Sequence, residues 1–91
     1  MLRAVPNALG HTRFGFVVSK RVSMKAVDRN RVRRRLREIV RRAPVRKGWD
    51  QLLIARSSIV VADFQTIRHV VLDLERRLDL LEKPDNGKGQ D

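Results

Sequence analysis

The chain has no cysteine and no tyrosine, and among its 91 residues only Phe14, Phe16, Phe64 and Trp49 are aromatic. Without cysteine there is no disulfide, no thiolate metal site and no thiol nucleophile, as expected of a protein working in the cytoplasm. So few rings exclude a surface built mainly by stacking on single-stranded bases. Long hydrophobic runs are missing too. Nothing approaches the roughly 20 apolar residues that cross a bilayer, and the first six residues are too short and too broken by Pro6 for a signal peptide. The two histidines, His11 in a loop and His69 on the polar side of a helical stretch, stand in no catalytic or metal-ligating pattern. The five glycines are dispersed and form no phosphate-cradling loop. Asp73 with Glu75, and Asp79 with Glu82, stand among Arg76, Arg77 and Lys83 and read as charge pairing on an exposed helix. No internal repeat is present, which excludes solenoids.

What the chain has in excess is positive charge, 21 lysines and arginines against 10 acids. Between positions 19 and 47 stand Lys20, Arg21, Lys25, Arg29, Arg31, Arg33, Arg34, Arg35, Arg37, Arg41, Arg42, Arg46 and Lys47, opposed only by Asp28 and Glu38. That one segment accounts for the whole net charge of +11, and the remainder balances. Cations confined in this way sustain a potential that steers and holds phosphate backbones, so nucleic acid is the expected partner. An interfacial membrane helix would expose bulky apolar residues, which this segment does not have to spare. Helix-turn-helix reading of DNA is disfavoured because strands flank the basic segment and no short helix precedes it.

The length suits one small domain. Residues 2–5 read as the end of a strand entering a turn at Pro6 to Gly10. Residues 13–19 alternate Phe14, Phe16 and Val18 against Gly15, Val17 and Ser19, the period of a strand with one buried face. Gly15 has two open readings, relief of crowding or close approach of a neighbouring backbone or RNA. From about Asp28 to Arg42 the period becomes helical, with Val32, Leu36, Ile39, Val40 and Ala43 on one stripe and Asn30, Arg34, Arg37 and Arg41 opposite. Asp28 is the expected amino-terminal cap, and Pro44 the stop. Residues 51–55, a short continuous apolar run, predict a strand covered on both faces. Asp63 predicts the cap of a second helix whose Phe64, Ile67, Val70, Val71, Leu74, Leu78 and Leu81 form a core stripe. A domain over 1–82 is expected, followed by a tail over 83–91 with too little apolar content to offset the entropy of ordering it.

One ordered combination is specific. Arg13-Phe14-Gly15-Phe16-Val17-Val18-Ser19-Lys20-Arg21, a short turn, then Arg29-Asn30-Arg31-Val32-Arg33-Arg34-Arg35-Leu36-Arg37-Glu38 resembles the protein subunit of bacterial ribonuclease P, including that family's Arg-Asn-Arg motif. Leu52-Leu53-Ile54-Ala55-Arg56 is similar to the family's third strand, and Asp63-Phe64 onward to its last helix, so the resemblance spans most of residues 2–82. It implies an α/β fold, an α+β two-layer sandwich like the second domain of ribosomal protein S5, with a four-stranded sheet and a left-handed βαβ crossover. It implies a protein that assists a catalytic RNA subunit in removing the 5′ leader of precursor tRNA, with magnesium held by that RNA and no cofactor or catalytic residue in the protein. The implied partners are the RNA subunit and precursor tRNA with its leader, and no membrane. The endoribonuclease activity then belongs to the complex, none being expected of the protein alone.

Carried over by position, Arg29, Asn30, Arg31, Arg34 and Arg35 are expected at the RNA near the catalytic centre, with Lys20 and Arg21 at the end of the preceding strand and Lys25 and Arg37 on the same basic face. Arginine's planar fork grips two phosphate oxygens at once. Asn30 would orient a phosphate or a metal-bound water, or else cap the helix start. Phe16 has two open readings, lining of the leader cleft or burial in the core. Family members usually begin with a basic helix and a full first strand, and this chain opens near the end of that strand, so the expectation is a start codon assigned too far downstream. The loop over 22–28 is slightly longer than in many members. The rival from another class is a ribosomal or structural RNA-binding protein with no processing role.

Overall fold

The computed structural model describes residues 1–82, and the expected mobile tail at 83–91 lies outside the described residues. Three strands form one sheet: β1 (Leu2–Pro6), β2 (Arg13–Val17) and β3 (Trp49–Ile54), in the order β1-β3-β2. β3 pairs antiparallel with β1, Leu2 opposite Leu53, and parallel with β2, Phe16 opposite Leu53. A parallel pair cannot be closed by a tight turn. The crossover is supplied by α1 (Ala26–Arg42), and α2 (Phe64–Arg77) follows β3 after a 3₁₀ turn at Ser57–Val60.

One sheet face carries the core. Leu2, Leu53 and Val18 pack with Val32, Leu36, Ile39 and Val40 of α1, Ile67 and Val71 of α2, and Leu80 beyond it. The α1 stripe is therefore as the helical period predicts. The other face is open, and the central strand is not covered on both sides as expected: Gln51 and Leu53 are buried, while Leu52 between them is exposed. The apolar run at 51–55 hides an ordinary alternation because its outward residue happens to be leucine. Gly15 is opposite Leu52, and a Cβ at Gly15 would come within 3.1 Å of Leu52 Cδ1, so a side chain there would press on the neighbouring strand unless that exposed leucine shifted.

The implied four-stranded sheet is reduced here to three strands plus a single antiparallel bridge between Val45 and Leu81. Arg46 N–H donates to Leu80 O at 2.7 Å and Glu82 N–H to Pro44 O at 2.7 Å. Pro44, lacking an N–H, ends that pairing on one side. At the opposite end of the sheet from α1's start, Asp50 accepts from Arg13 Nη2 at 2.6 Å and Nε at 2.8 Å, and from Asn7 Nδ2 at 2.8 Å. The Arg13 bonds, and then Asn7, hold the Asp50 carboxyl down at about 2.

Candidate nucleic-acid interface

α1 begins two residues earlier than its apolar stripe suggests, and Asp28 is not its cap. Lys25 is the capping residue and offers no side-chain bond. Asp28 sits in the first turn, where its charge suits the positive end of the helix, and accepts from Ser23 Oγ at 3.0 Å and Arg31 Nη2 at 3.3 Å. Ser23 Oγ in turn accepts from Lys25 N–H at 3.1 Å. A hydroxyl from the loop thus supports the helix start, a tertiary arrangement that no cap pattern in the sequence announces.

At about 100° per residue the arginines of α1 divide into separate groups. Asn30, Arg34, Arg37 and Arg41 are exposed on the side away from the core, as expected. Arg33 and Arg37 lean toward β2: Arg33 Nη2 donates to Val18 O at 3.2 Å and its Nη1 to Asn30 Oδ1 at 3.2 Å, while Arg37 Cζ lies 5.9 Å from the Phe16 ring centroid. Arg31 and Arg35 fall on the opposite flank, where Arg35 Nη1 donates to Ala62 O at 3.3 Å. Arg29 turns back on the loop and donates to Ser23 O at 2.8 Å. The predicted site residues therefore do not form one patch. Asn30, Arg34 and Arg37 share the exposed side of α1, Lys25 caps its start, and Lys20 and Arg21 follow Val18 and Ser19 past β2, where the Arg33–Val18 bond joins strand end to helix. Arg29, Arg31 and Arg35 are half-buried and partly engaged in holding the fold.

Acidic partners are distributed unevenly. Glu38 binds Arg41 at 2.8 Å and Arg42 at 2.6 Å, and Asp28 binds Arg31. Among the described residues Lys20, Arg21, Lys25, Arg34 and Arg37 form no ion pair, so the exposed side of α1 and the segment after β2 keep positive charge that no acid offsets, as do Arg3, Lys47, Arg56 and Arg68 elsewhere. Phe16 is half-buried and stacks on Phe14 with centroids 6.5 Å apart. Both rings border the core, and Arg37 roofs one of them. The two readings of Phe16 are thus compatible: one side packs, and the other meets a cation at the sheet's edge.

Arg33 and Phe14 are the members of this surface that sequence reasoning passed over. Their signals were present, since Arg33 is one helical turn from Asn30 and Phe14 shares the Phe16 face of a strand. Among the described residues no three His, Cys, Asp or Glu side chains come together in a metal-binding group. No helix among them is long and apolar enough to cross a membrane.

A family model described as Ribonuclease P matches residues 1–79. The ribonuclease P protein component of Dehalococcoides mccartyi is 40% identical over 83 residues, covering 91% of this chain and 68% of that protein. The structure of the RNase P protein from Thermotoga maritima superposes with a TM-score of 0.76 at 33% identity, covering 84% of this chain and 74% of that one. The Staphylococcus aureus RNase P protein, at 24% identity, has the same fold with a TM-score of 0.77 over 89% of this chain and 75% of that one.

Proposed function

The chain belongs to the ribonuclease P protein family, and from that premise we propose that it binds the family's RNA subunit through the amino-terminal half of α1 and assists that RNA in removing the 5′ leader from precursor tRNA. The chain is a protein component of an endoribonuclease complex. In this reading the chemistry resides in the RNA, which also holds the magnesium, and the protein supplies charge and orientation.

One observation carries the proposal. On a chain with net charge +11, Lys20, Arg21, Lys25, Arg34 and Arg37, none of them in an ion pair among the described residues, lie on the exposed side of α1, at its start and just after β2. Lys20, Arg21, Lys25, Arg34 and Arg37 supply phosphate contacts there, and Asn30 a neutral hydrogen-bonding group among them. Arg29, Arg31 and Arg35 support this surface and present their remaining donors at its margins. Phe16, stacked on Phe14 with Arg37 over its ring, offers a cationic edge at β2 suited to the phosphates of a single-stranded leader.

Binding to the cognate RNA subunit across a salt series tests the reading. If about 5 to 7 phosphates are contacted, log affinity falls against log salt with a slope of roughly −3.5 to −5, at about 0.7 per phosphate. Binding should persist under excess duplex DNA. A slope near zero, or equal competition by duplex DNA, contradicts the proposal.

A further inference from the structure

We infer that Arg33 is a positioning residue that fixes the Asn30 amide with its nitrogen outward, so that Asn30 acts on the RNA as a hydrogen-bond donor to a phosphate or base acceptor. The inference rests on the reading of α1 as the RNA-binding element.

An arginine has five N–H donors and no acceptor. The Asn30 atom 3.2 Å from Arg33 Nη1 must therefore be its oxygen, whichever way an amide is first drawn. Arg33 cannot turn away freely to accommodate the other orientation, because its second terminal nitrogen donates to Val18 O at 3.2 Å, just past the end of β2. Val18 is buried, and Arg33 is the half-buried neighbour that spans the gap between strand end and helix. One guanidinium thus links the sheet to the Asn30 side chain.

The chemistry of the contact follows. With one lone pair of its oxygen taken by Arg33, Asn30 presents two N–H donors from an exposed position. A non-bridging phosphate oxygen, or an acceptor on a base edge, fits such a group. The fork geometry also explains why lysine could not replace Arg33. A single ammonium on a flexible stem carries the same charge but does not hold two acceptors in fixed directions.

The test uses the full chain assembled with its RNA subunit and leader-bearing precursor tRNA at limiting magnesium, with Arg33→Met, Arg33→Lys, Asn30→Ala, Asn30→Asp and the double variant Arg33→Met/Asn30→Ala. Arg33→Met and Arg33→Lys should each lower kcat/KM by about 5- to 10-fold, the loss of one charge-assisted orienting bond. In the Asn30→Ala background Arg33→Met should add less than about 2-fold, because two members of one unit are not additive. Arg33→Lys should leave the salt slope of RNA binding unchanged. Asn30→Asp, which satisfies Arg33 but has no donor, should be as impaired as Asn30→Ala. Full rescue by Arg33→Lys, or additive losses together with a salt slope smaller by about 0.7, would make Arg33 a phosphate contact and overturn the inference. Activity retained in Asn30→Asp would overturn the donor role.

A readout independent of catalysis separates this inference from the proposed function. In the free protein the Asn30 side-chain amide resonances should shift in Arg33→Met and keep their positions in Arg34→Met, with thermal unfolding followed alongside. If those shifts appear but the wild-type protein gives no stimulation of cleavage, the functional reading fails and the Arg33–Asn30 linkage stands. If Asn30 is indifferent to Arg33, the linkage fails whatever the activity.

Discussion

Glu75 shows how a single residue can run against its sequence context. Its place among Asp73, Arg76 and Arg77 suggests a surface ion pair, but Asp73 takes both arginines, at 3.6 and 2.9 Å. Glu75 is instead 0% exposed, and neither carboxyl oxygen has a hydrogen-bond partner. Gln51, itself 3% exposed, is the polar neighbour that partly offsets the burial, although no contact between them closes to hydrogen-bond distance. Burial pushes the Glu75 carboxyl up to about 7, against 4.5 in the unfolded chain. Above 4.5 the unfolded chain ionises while the folded one stays protonated, so folding loses stability as pH rises through that window and levels off above about 7. Asp50 behaves oppositely, contributing above 3.8 and losing its contribution as pH falls toward about 2. Urea unfolding followed from pH 4 to 8 should therefore show falling stability from about 4.5 to 7. Glu75→Gln should remove that slope and raise stability at pH 7.5 by about 1 to 3 kcal/mol. An unchanged slope would place the titration elsewhere. At the same scale, Arg34→Ala should flatten the salt dependence of RNA binding by about 0.7, one phosphate's share. Arg76→Ala, which loosens only an exposed pair with Asp73, should leave that dependence alone.

The two helices differ in how far the sequence discloses them. The α2 cap is legible: Asp63 accepts from Thr66 N–H at 2.7 Å, as a short carboxylate before an apolar-periodic stretch should. Asp63→Ala should cost about 1 kcal/mol in unfolding experiments and leave RNA affinity within error, because Asp63 caps α2 and its nearest arginine on α1 is Arg35, on the flank and not on the exposed side that carries Asn30, Arg34 and Arg37. Loss of RNA affinity without loss of stability would place RNA contacts on α2. The start of α1 was not legible, since its support comes from Ser23 in the loop, reached through side chains and not through a local pattern. The α2 stripe was read too broadly. Ile67 and Val71 are buried, but Val70 and Leu78 are 51% and 48% exposed, on a groove of about 730 Å³ between α2, the end of β3 and Met1. Periodicity identifies the apolar side of a helix but not how much of that side the rest of the fold covers. The same limit explains Leu52, apolar and outward on β3. For the site, Asn30, Arg34 and Arg37 on one exposed face followed from helical spacing alone. The diversion of Arg29 to Ser23 O and of Arg35 to Ala62 O did not, because both depend on where loops return.

Over the whole molecule, the division of labour is one of charge. Asp50 ties the strands at one end, Glu38 neutralises the carboxyl-terminal arginines of α1, and in the amino-terminal half of that helix Asp28 meets Arg31 while Arg29, Arg33 and Arg34 have no acidic partner among the described residues. Such a protein raises the local concentration and order of phosphate backbones, and in this account it reduces the magnesium that the RNA subunit needs to hold its substrate. The most direct measurement is 5′ maturation of precursor tRNA across a magnesium titration, with RNA subunit alone, protein alone and both together. The account predicts no cleavage by the protein alone and a curve for the complex displaced to lower magnesium than that of the RNA. Coincident curves with and without the protein, or cleavage by the protein in the absence of the RNA subunit, would contradict it.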